Sequence, residues 1–422
     1  MGFHRKFGPG ANPTSRWFSL LAKAASLTCF EDWHDLATQD GTFGDSQRHD
    51  PIPGNEPIQR IIHRWGIVGN SRHGIASDAV TTDEFEVWFD KGVTDGLPVV
   101  PPTRERVERM LSGTRRSPDE LLGEMPPNYG RLTVEKAAIN AVLAGCRPEY
   151  LPVVIAAAEC ACDPAFNLHG VSTSTYFSAP LIVVNGPIRG RIGLNSGFGV
   201  FGPGYRANAT IGRALRLLMI NIGGARPGEI SMSTFGHPGR YTFCIGENEE
   251  ASPWPPFHAG RGLPAGTSAV TLFAGDSPHG ISDHASRTAR ELGGSLGWSM
   301  AGLWNSKHFP LYSHTMLVVG PEHARTFADG GWSKDDLKRH LHETVRRPYR
   351  TLLPDADHGE GTNLRYGKDE SVHEPDAMVS KFQSTEEIHV VVAGGTAGRF
   401  SVAIPGWLGT KNGSRPVTRL VE

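Results

Sequence analysis

The spacing of apolar residues divides the chain. Through residues 1–79, rich in His, Gly, Asp and Pro, apolar positions recur with neither a helical nor a strand period, so this part reads as an irregular N-terminal extension. From Thr82 the pattern sharpens. Thr82-Asp83-Glu84 opens an amphipathic helix through Phe85, Val87, Trp88 and Phe89 that ends near Gly92. Leu97-Pro98-Val99-Val100-Pro101 follows as an apolar strand, which its prolines confine to a sheet edge or a crossing point. Thr103 is an N-cap for a helix over 104–111, Thr133 starts a second that Gly145 stops, and Pro148 opens a third running to about Cys162.

Beyond Asp163-Pro164, apolar runs alternate with helical stretches. Leu181-Ile182-Val183-Val184, Tyr241-Thr242-Phe243-Cys244-Ile245, Ala269-Val270-Thr271-Leu272-Phe273, Met316-Leu317-Val318-Val319 and His389-Val390-Val391-Val392-Ala393 read as strands. Helices are expected over 210–220, over 323–328, and from an N-cap at Ser333 to about Arg346. That alternation predicts an α/β fold with a mainly parallel sheet and flanking helices. The Leu181 strand with its Gly186-Pro187 turn is echoed by the Met316 strand with Gly320-Pro321, which suggests two similar lobes. The division is then 80–240 with a Gly-rich ligand loop, and 241–422 with a polar surface insertion near 353–383.

Composition narrows the class. Gly 51 and Pro 31 make up roughly a fifth of the 422 residues, against a usual ~12%, and their even spread implies many tight turns. Lys+Arg 42 against Asp+Glu 44 leaves a net charge of -2 without a basic block, which disfavours nucleic acid. No run approaches the ~18 apolar residues of a membrane span. Five cysteines, an odd number in a long chain, argue for a reducing, cytoplasmic setting. Arg5, Lys6, Arg16 and Lys23, without an acidic residue in the first thirty, offer the alternative of a mitochondrial transit peptide.

Three segments carry candidate chemistry. Between the Leu181 strand and the next helix lies a Gly-rich loop containing Asn195, Ser196 and Gly197, followed by Arg206, Asn208, Arg213 and Arg216. Loops at strand ends bind ligands in open α/β sheets, and glycines let amides approach an anion. The spacing matches neither a P-loop nor a dinucleotide fingerprint; a glycine-rich packing crossover is the competing reading. Glu247 and Glu249 follow the Tyr241 strand, on one side by alternation, as a general base or metal ligands. The rigid Pro253-Trp254-Pro255-Pro256-Phe257-His258 behind them is suited to covering a pocket. Asp276, His279, Asp283 and His284 form a third cluster, an acid–base pair or part of a shell for a divalent metal, with His169 and His314 as further candidates. Cys146 beside Arg147 is the thiol placed for redox or covalent chemistry.

Several strings carry a resemblance. Asp95-Gly96-Leu97-Pro98-Val99-Val100-Pro101-Pro102-Thr103, Ala144-Gly145-Cys146-Arg147-Pro148-Glu149-Tyr150, Glu247-Asn248-Glu249-Glu250-Ala251-Ser252-Pro253-Trp254, Gly320-Pro321-Glu322-His323-Ala324, Gly331-Trp332-Ser333-Lys334 and Ile404-Pro405-Gly406-Trp407 occur in order over about 82–420. They resemble a largely uncharacterised bacterial family whose members accompany, or are fused to, a small thiol or selenol redox protein with a UGSC-type motif. This chain has no UGSC or CGSC string, so the resemblance implies a separate redox partner, and it transfers no catalytic residues. The expectation is an enzyme acting on a small polar, anionic organic substrate. Arg206, Arg213 and the Gly-rich loop would bind it, and His279, Asp283, His284, Glu247 or Glu249 would move protons, with His169 assisting. A homo-oligomer is expected. The alternatives are a metal-dependent hydrolase or lyase, and a non-catalytic subunit that docks the redox protein.

Overall fold

Four of the expected strands become buried strands, and the run 241–245 does so only from Cys244, with Tyr241 left exposed, but they lie in two mixed sheets. The computed structural model describes residues 83–304, 313–354, 361, 374–409 and 413–422. The extension 1–79, with its targeting features, lies outside the described residues. The chain opens with α1 (Glu84–Asp90), capped by Asp83, and α2 (Arg104–Leu111), capped by the Thr103 hydroxyl. Between them, 97–100 forms no strand. Pro98, Pro101 and Pro102 have no N–H to give a ladder, and the Val100 N–H instead donates to the Leu143 carbonyl (3.1 Å). A hairpin of β1 (Leu121–Met125) and β2 (Gly130–Thr133) leads into α3 (Val134–Ala144), which starts at the Thr133 cap and ends at left-handed Gly145 (φ +85°). Then come α4 (Leu151–Cys162) and the short α5 (Leu168–Thr173).

The first sheet is built from β3 (Ala179–Asn185), β4 (Cys244–Gly246), β5 (Ala269–Gly275) and β12 (Val417–Leu420), in the order β12-β5-β3-β4. The second is built from β6 (His279–Ser282), β7 (Thr315–Val319), β10 (Ile388–Val392) and β11 (Phe400–Pro405), in the order β10-β7-β11-β6. A small hairpin, β8 (Arg346–Pro348) with β9 (Met378–Ser380), stands apart. The expected mainly parallel arrangement is corrected here. Only β3/β4 and β7/β10 are parallel, and every other pair in the two large sheets is antiparallel. The reason lies in the connections. A parallel neighbour needs a long crossover, and helices supply one twice: α6 (Ile188–Arg191) and α7 (Arg206–Asn221) between β3 and β4, and α9 (Pro321–Asp329) and α10 (Lys334–Thr344) between β7 and β10. The returns to β5 and β11 contain no α-helix.

Alternation along the strands sorts the core into layers. Leu181, Val183, Ile245 and Phe273 of the first sheet pack with Met316, Val318, Val391 and Ile404 of the second, so the sheets meet face to face. The opposite side of the first sheet, with Ile182, Val184, Val270 and Leu272, is buried under α3, α4 and α7. The far side of the second, with Leu317, Val319, Val390 and Ala403, is buried under α8 (Ala289–Gly302), α9 and α10. The order is helix, sheet, sheet, helix. The chain passes from one sheet to the other between Gly275 and His279, so β4 and β5 belong with β3.

The sequence reading has no element at α8, whose four glycines argue against a helix. Packing explains them: a Cβ on Gly293 would lie 2.7 Å from the His340 ring, and one on Gly297 2.5 Å from the Thr344 methyl. Glycines one turn apart let α8 press against α10, and a Thr288/Glu291 capping box starts it. Of the expected insertion near 353–383, residues 355–360 and 362–373 lie outside the described residues, while Lys381 and Phe382 at its end are buried. Among the described residues, no helix is long and apolar enough to cross a membrane.

Candidate functional site

Alternation does bring Glu247 and Glu249 together. Both accept from the Asn185 amide, Glu247 at 2.5 Å and Glu249 at 3.0 Å. Each is then compensated. Glu247, fully buried, accepts from the Phe257 N–H (2.6 Å) and from Lys334 Nζ (3.1 Å). Glu249 accepts from the Gly186 N–H (2.7 Å) and pairs with Arg189 (3.2 Å), whose guanidinium also grips Glu250 in a two-pronged contact. Every carboxylate at this strand end has a cation, an arrangement suited to locking strand ends to the loop before α6. Trp254, Pro255, Pro256 and Phe257 line a cleft of about 280 Å³ with Lys334, Lys338 and His389.

The His/Asp cluster does not converge. His279 lies exposed on the edge strand β6, opposite Ala403. Asp283 turns back on its own chain. Burial works against its charge, but bonds from the Ser286 N–H and hydroxyl, the Ser295 hydroxyl and the Ala285 N–H hold its carboxyl well below the usual range. His284 is exposed with its ring edge against Phe400 (5.0 Å between centroids). His169, also exposed, stacks on Tyr129 at 5.9 Å. His314 is the exception among the histidines: its Nδ1 meets His389 Nε2 at 2.9 Å inside the core. Among the described residues, no three His, Cys, Asp or Glu side chains are grouped to hold a metal ion. The thiols are quiet as well. Burial pushes Cys146, Cys160 and Cys162 up to about 12, in Cys146 despite Thr210 and the nearby Arg206 and Arg213.

The Gly-rich loop spends its polar groups on itself. The Asn195 N–H donates to Asn208 Oδ1 (2.8 Å), Asn208 Nδ2 donates to the Asn195 carbonyl (2.9 Å), and the Gly197 N–H donates to Asn195 Oδ1 (2.9 Å). The Ser196 carbonyl accepts from the Gly394 N–H (2.9 Å), joining the loop to the end of β10. Arg213 clamps the buried Asp95 carboxylate through Nε (2.9 Å) and Nη2 (2.7 Å), and Arg206 donates twice to the Gly145 carbonyl. Arg213 is therefore neutralised, and Arg206 faces elsewhere.

A cavity of about 950 Å³ opens beside α7 and is lined by residues largely outside the candidates that the sequence offers. The loop after α1 supplies Gly92, Thr94 and Asp95, α7 supplies Arg216 and Ile220, and the segment after α7 supplies Arg226, Ser231, Ser233, His237 and Arg240, with Phe89, Phe235 and Tyr241 as its aromatic lining. Arg216 lies one helical turn beyond Arg213, yet has no ion pair among the described residues. Burial lowers it to about 10, Arg240 adds to that, and Asp95 opposes it only in part. Arg226 donates to the Gly92 carbonyl (2.7 Å) and Arg240 to the Ser231 hydroxyl (3.4 Å), so neither has its charge matched. Burial also lowers Arg240.

His237 stands among these cations. Its Nδ1 accepts from the Gly239 N–H (3.2 Å), so the neutral ring carries its proton on Nε2, which is buried and faces the Gly275 carbonyl; the Ser233 hydroxyl is buried without a hydrogen-bond partner among the described residues. Burial lowers its pKa, against Asp276 and the Gly275 carbonyl and with help from Arg240. The signal for this site in the sequence is the Gly-, Ser- and Pro-rich stretch 223–240, with two arginines and a histidine between a helix and a strand. No protein-family model, curated protein or solved structure matches the chain.

Proposed function

We propose that the protein is an enzyme whose substrate is a small anionic organic molecule bound in the 950 Å³ cavity. The observation that carries this reading is the set Arg216, Arg226 and Arg240, three guanidinium groups on one cavity with no carboxylate paired to any of them among the described residues. Half-buried cations without counter-ions are costly, and a bound carboxylate or phosphate supplies the missing charge with geometry suited to the guanidinium fork. Phe89, Ile220, Phe235 and Tyr241 provide an apolar wall for the organic part. His237, which lines the cavity and which burial favours in its neutral form, is the group that would turn its Nε2 proton from the Gly275 carbonyl to a substrate oxygen, as a neutral imidazole does when it polarises a carbonyl.

The acid–base role thereby moves from His279, His284 and the Glu247 pair to His237, and the binding role from Arg206 and Arg213 to Arg216, Arg226 and Arg240. The test is a thermal-shift panel of carboxylates and organic phosphates on the full chain, followed by product analysis by NMR with each stabilising compound. Stabilisation that vanishes in Arg216→Ala and Arg240→Ala, with turnover lost in His237→Phe while binding persists, is the expected result. A substrate that Arg216→Ala turns over with unchanged KM would remove the reading.

A further inference from the structure

A second, smaller pocket faces the N-terminal end of α7. About 250 Å³ in volume, it is lined by Val100, Met110 and Val142, by Cys146, and by four arginines from three parts of the chain: Arg106 and Arg109 of α2, Arg147 after α3, and Arg206 at the start of α7. No carboxylate lines it. Arg106 donates to the Pro101 carbonyl (2.9 Å) and Arg206 twice to the Gly145 carbonyl (3.0 and 2.9 Å), so neutral oxygens aim two of the guanidinium groups without cancelling their charge. Arg109 and Arg147 are exposed, and their side chains make neither a hydrogen bond nor an ion pair in the described residues. The next arginine along α2, Arg104, is by contrast paired with Glu108 at 2.8 Å and does not line the pocket.

From this geometry we infer that the pocket is a binding site for a compact dianion, a phosphate group, separate from the substrate cavity. Four like charges around 250 Å³ repel one another, and a single carboxylate offsets only one of them. A phosphate brings about two negative charges and three or more acceptor oxygens at neutral pH, and its faces accept several guanidinium forks at once. Val100, Met110 and Val142 give the inner wall no competing polar group, and the buried Cys146 thiol adds none. Sequence reading gave Arg206 to anion binding and Cys146 to chemistry at a separate point, and the fold joins both here. Arg206 and Arg216 are ten residues apart on α7, about 15 Å along its axis. The two cationic pockets are thus distinct sites on one helix.

The same chemistry belongs to free inorganic phosphate and to the phosphoryl end of an organic ester, and calorimetry on the full chain separates these. Inorganic phosphate, glycerol phosphate and acetate are titrated in low salt. Phosphate or the ester should bind at least about tenfold more tightly than acetate, the tighter of the two identifying the natural form. In Arg109→Ala/Arg147→Ala the affinity should fall about tenfold or more with an unchanged melting temperature, since neither side chain supports the fold. Arg104→Ala should bind as the unsubstituted chain does, and Arg216→Ala, whatever it loses at the large cavity, should keep the phosphate site that the double variant loses. Loss of phosphate binding in Arg216→Ala, with retention in the double variant, would place the anion in the larger cavity and overturn the inference. So would equal affinity for acetate and phosphate, or no binding of phosphate at millimolar concentration.

Discussion

The end of β4 and the cavity beside α7 are both crowded with charge, and they handle it in opposite ways. At β4, Glu247 and Glu249 are held by Lys334, Arg189, an asparagine amide and backbone N–H groups, so that charge is cancelled inside the protein. At the cavity, Arg216, Arg226 and Arg240 find only neutral oxygens or none. Density of ionisable residues does not distinguish the two regions. Compensation does: a matched cluster supports the fold, while an unmatched one on an open cavity has a ligand's charge still to receive.

The contrast is open to direct attack, and Lys334→Ala is the strongest blow. It leaves the Glu247 carboxylate buried without its cation, and should cost about 3–5 kcal/mol in urea unfolding. The double replacement Glu247→Gln/Lys334→Met should recover most of that loss. Arg213→Ala comes next, at about 2 kcal/mol, because Asp95 loses its two-pronged partner but borders the open cavity. Loss of less than half a kcal/mol in Lys334→Ala would make the β4 cluster a candidate site again.

Acid should expose a third compensated region, the His314–His389 pair. Burial holds His314 at about 4 and His389 well below its ordinary value, so both are neutral in the fold. Between about pH 6.5 and 4 the unfolded chain takes up protons that the native pair refuses, so stability falls as pH is lowered through that window. His389→Phe should flatten this slope in melts followed by circular dichroism. The smallest effect is expected for Arg216→Met. With no partner to lose, stability without ligand should stay within about 0.5 kcal/mol of the parent or rise, while anion binding at the cavity is lost.

Much of the local structure was legible. The caps at Thr103, Thr133 and Ser333, the Gly145 stop and the cores of β3, β5, β7 and β10 follow from the sequence pattern, since each rests on residues within a few positions of one another. The strands β6, β11 and β12 were less visible, being short and drawing their pairing from distant segments. Helix α8 was hidden because its glycines answer to α10 rather than to helix propensity. The expected acid–base cluster at 276–284 does not converge for a related reason: Asp283 and Ser286 satisfy each other within one turn, and the two histidines point to solvent or to Phe400.

By itself, the sequence determined that apolar runs would be buried, where most helices begin and end, and that this chain would place arginines along α7 after a glycine-rich crossover. Which of those arginines would be neutralised was decided by tertiary structure alone. Arg213 and Arg216 sit three residues apart on one helix, and nothing local separates them. Asp95, 118 positions upstream of Arg213, folds onto that arginine and leaves Arg216 to the cavity. Charge compensation is a property of distances in space, and a helix can specify only the distances along itself.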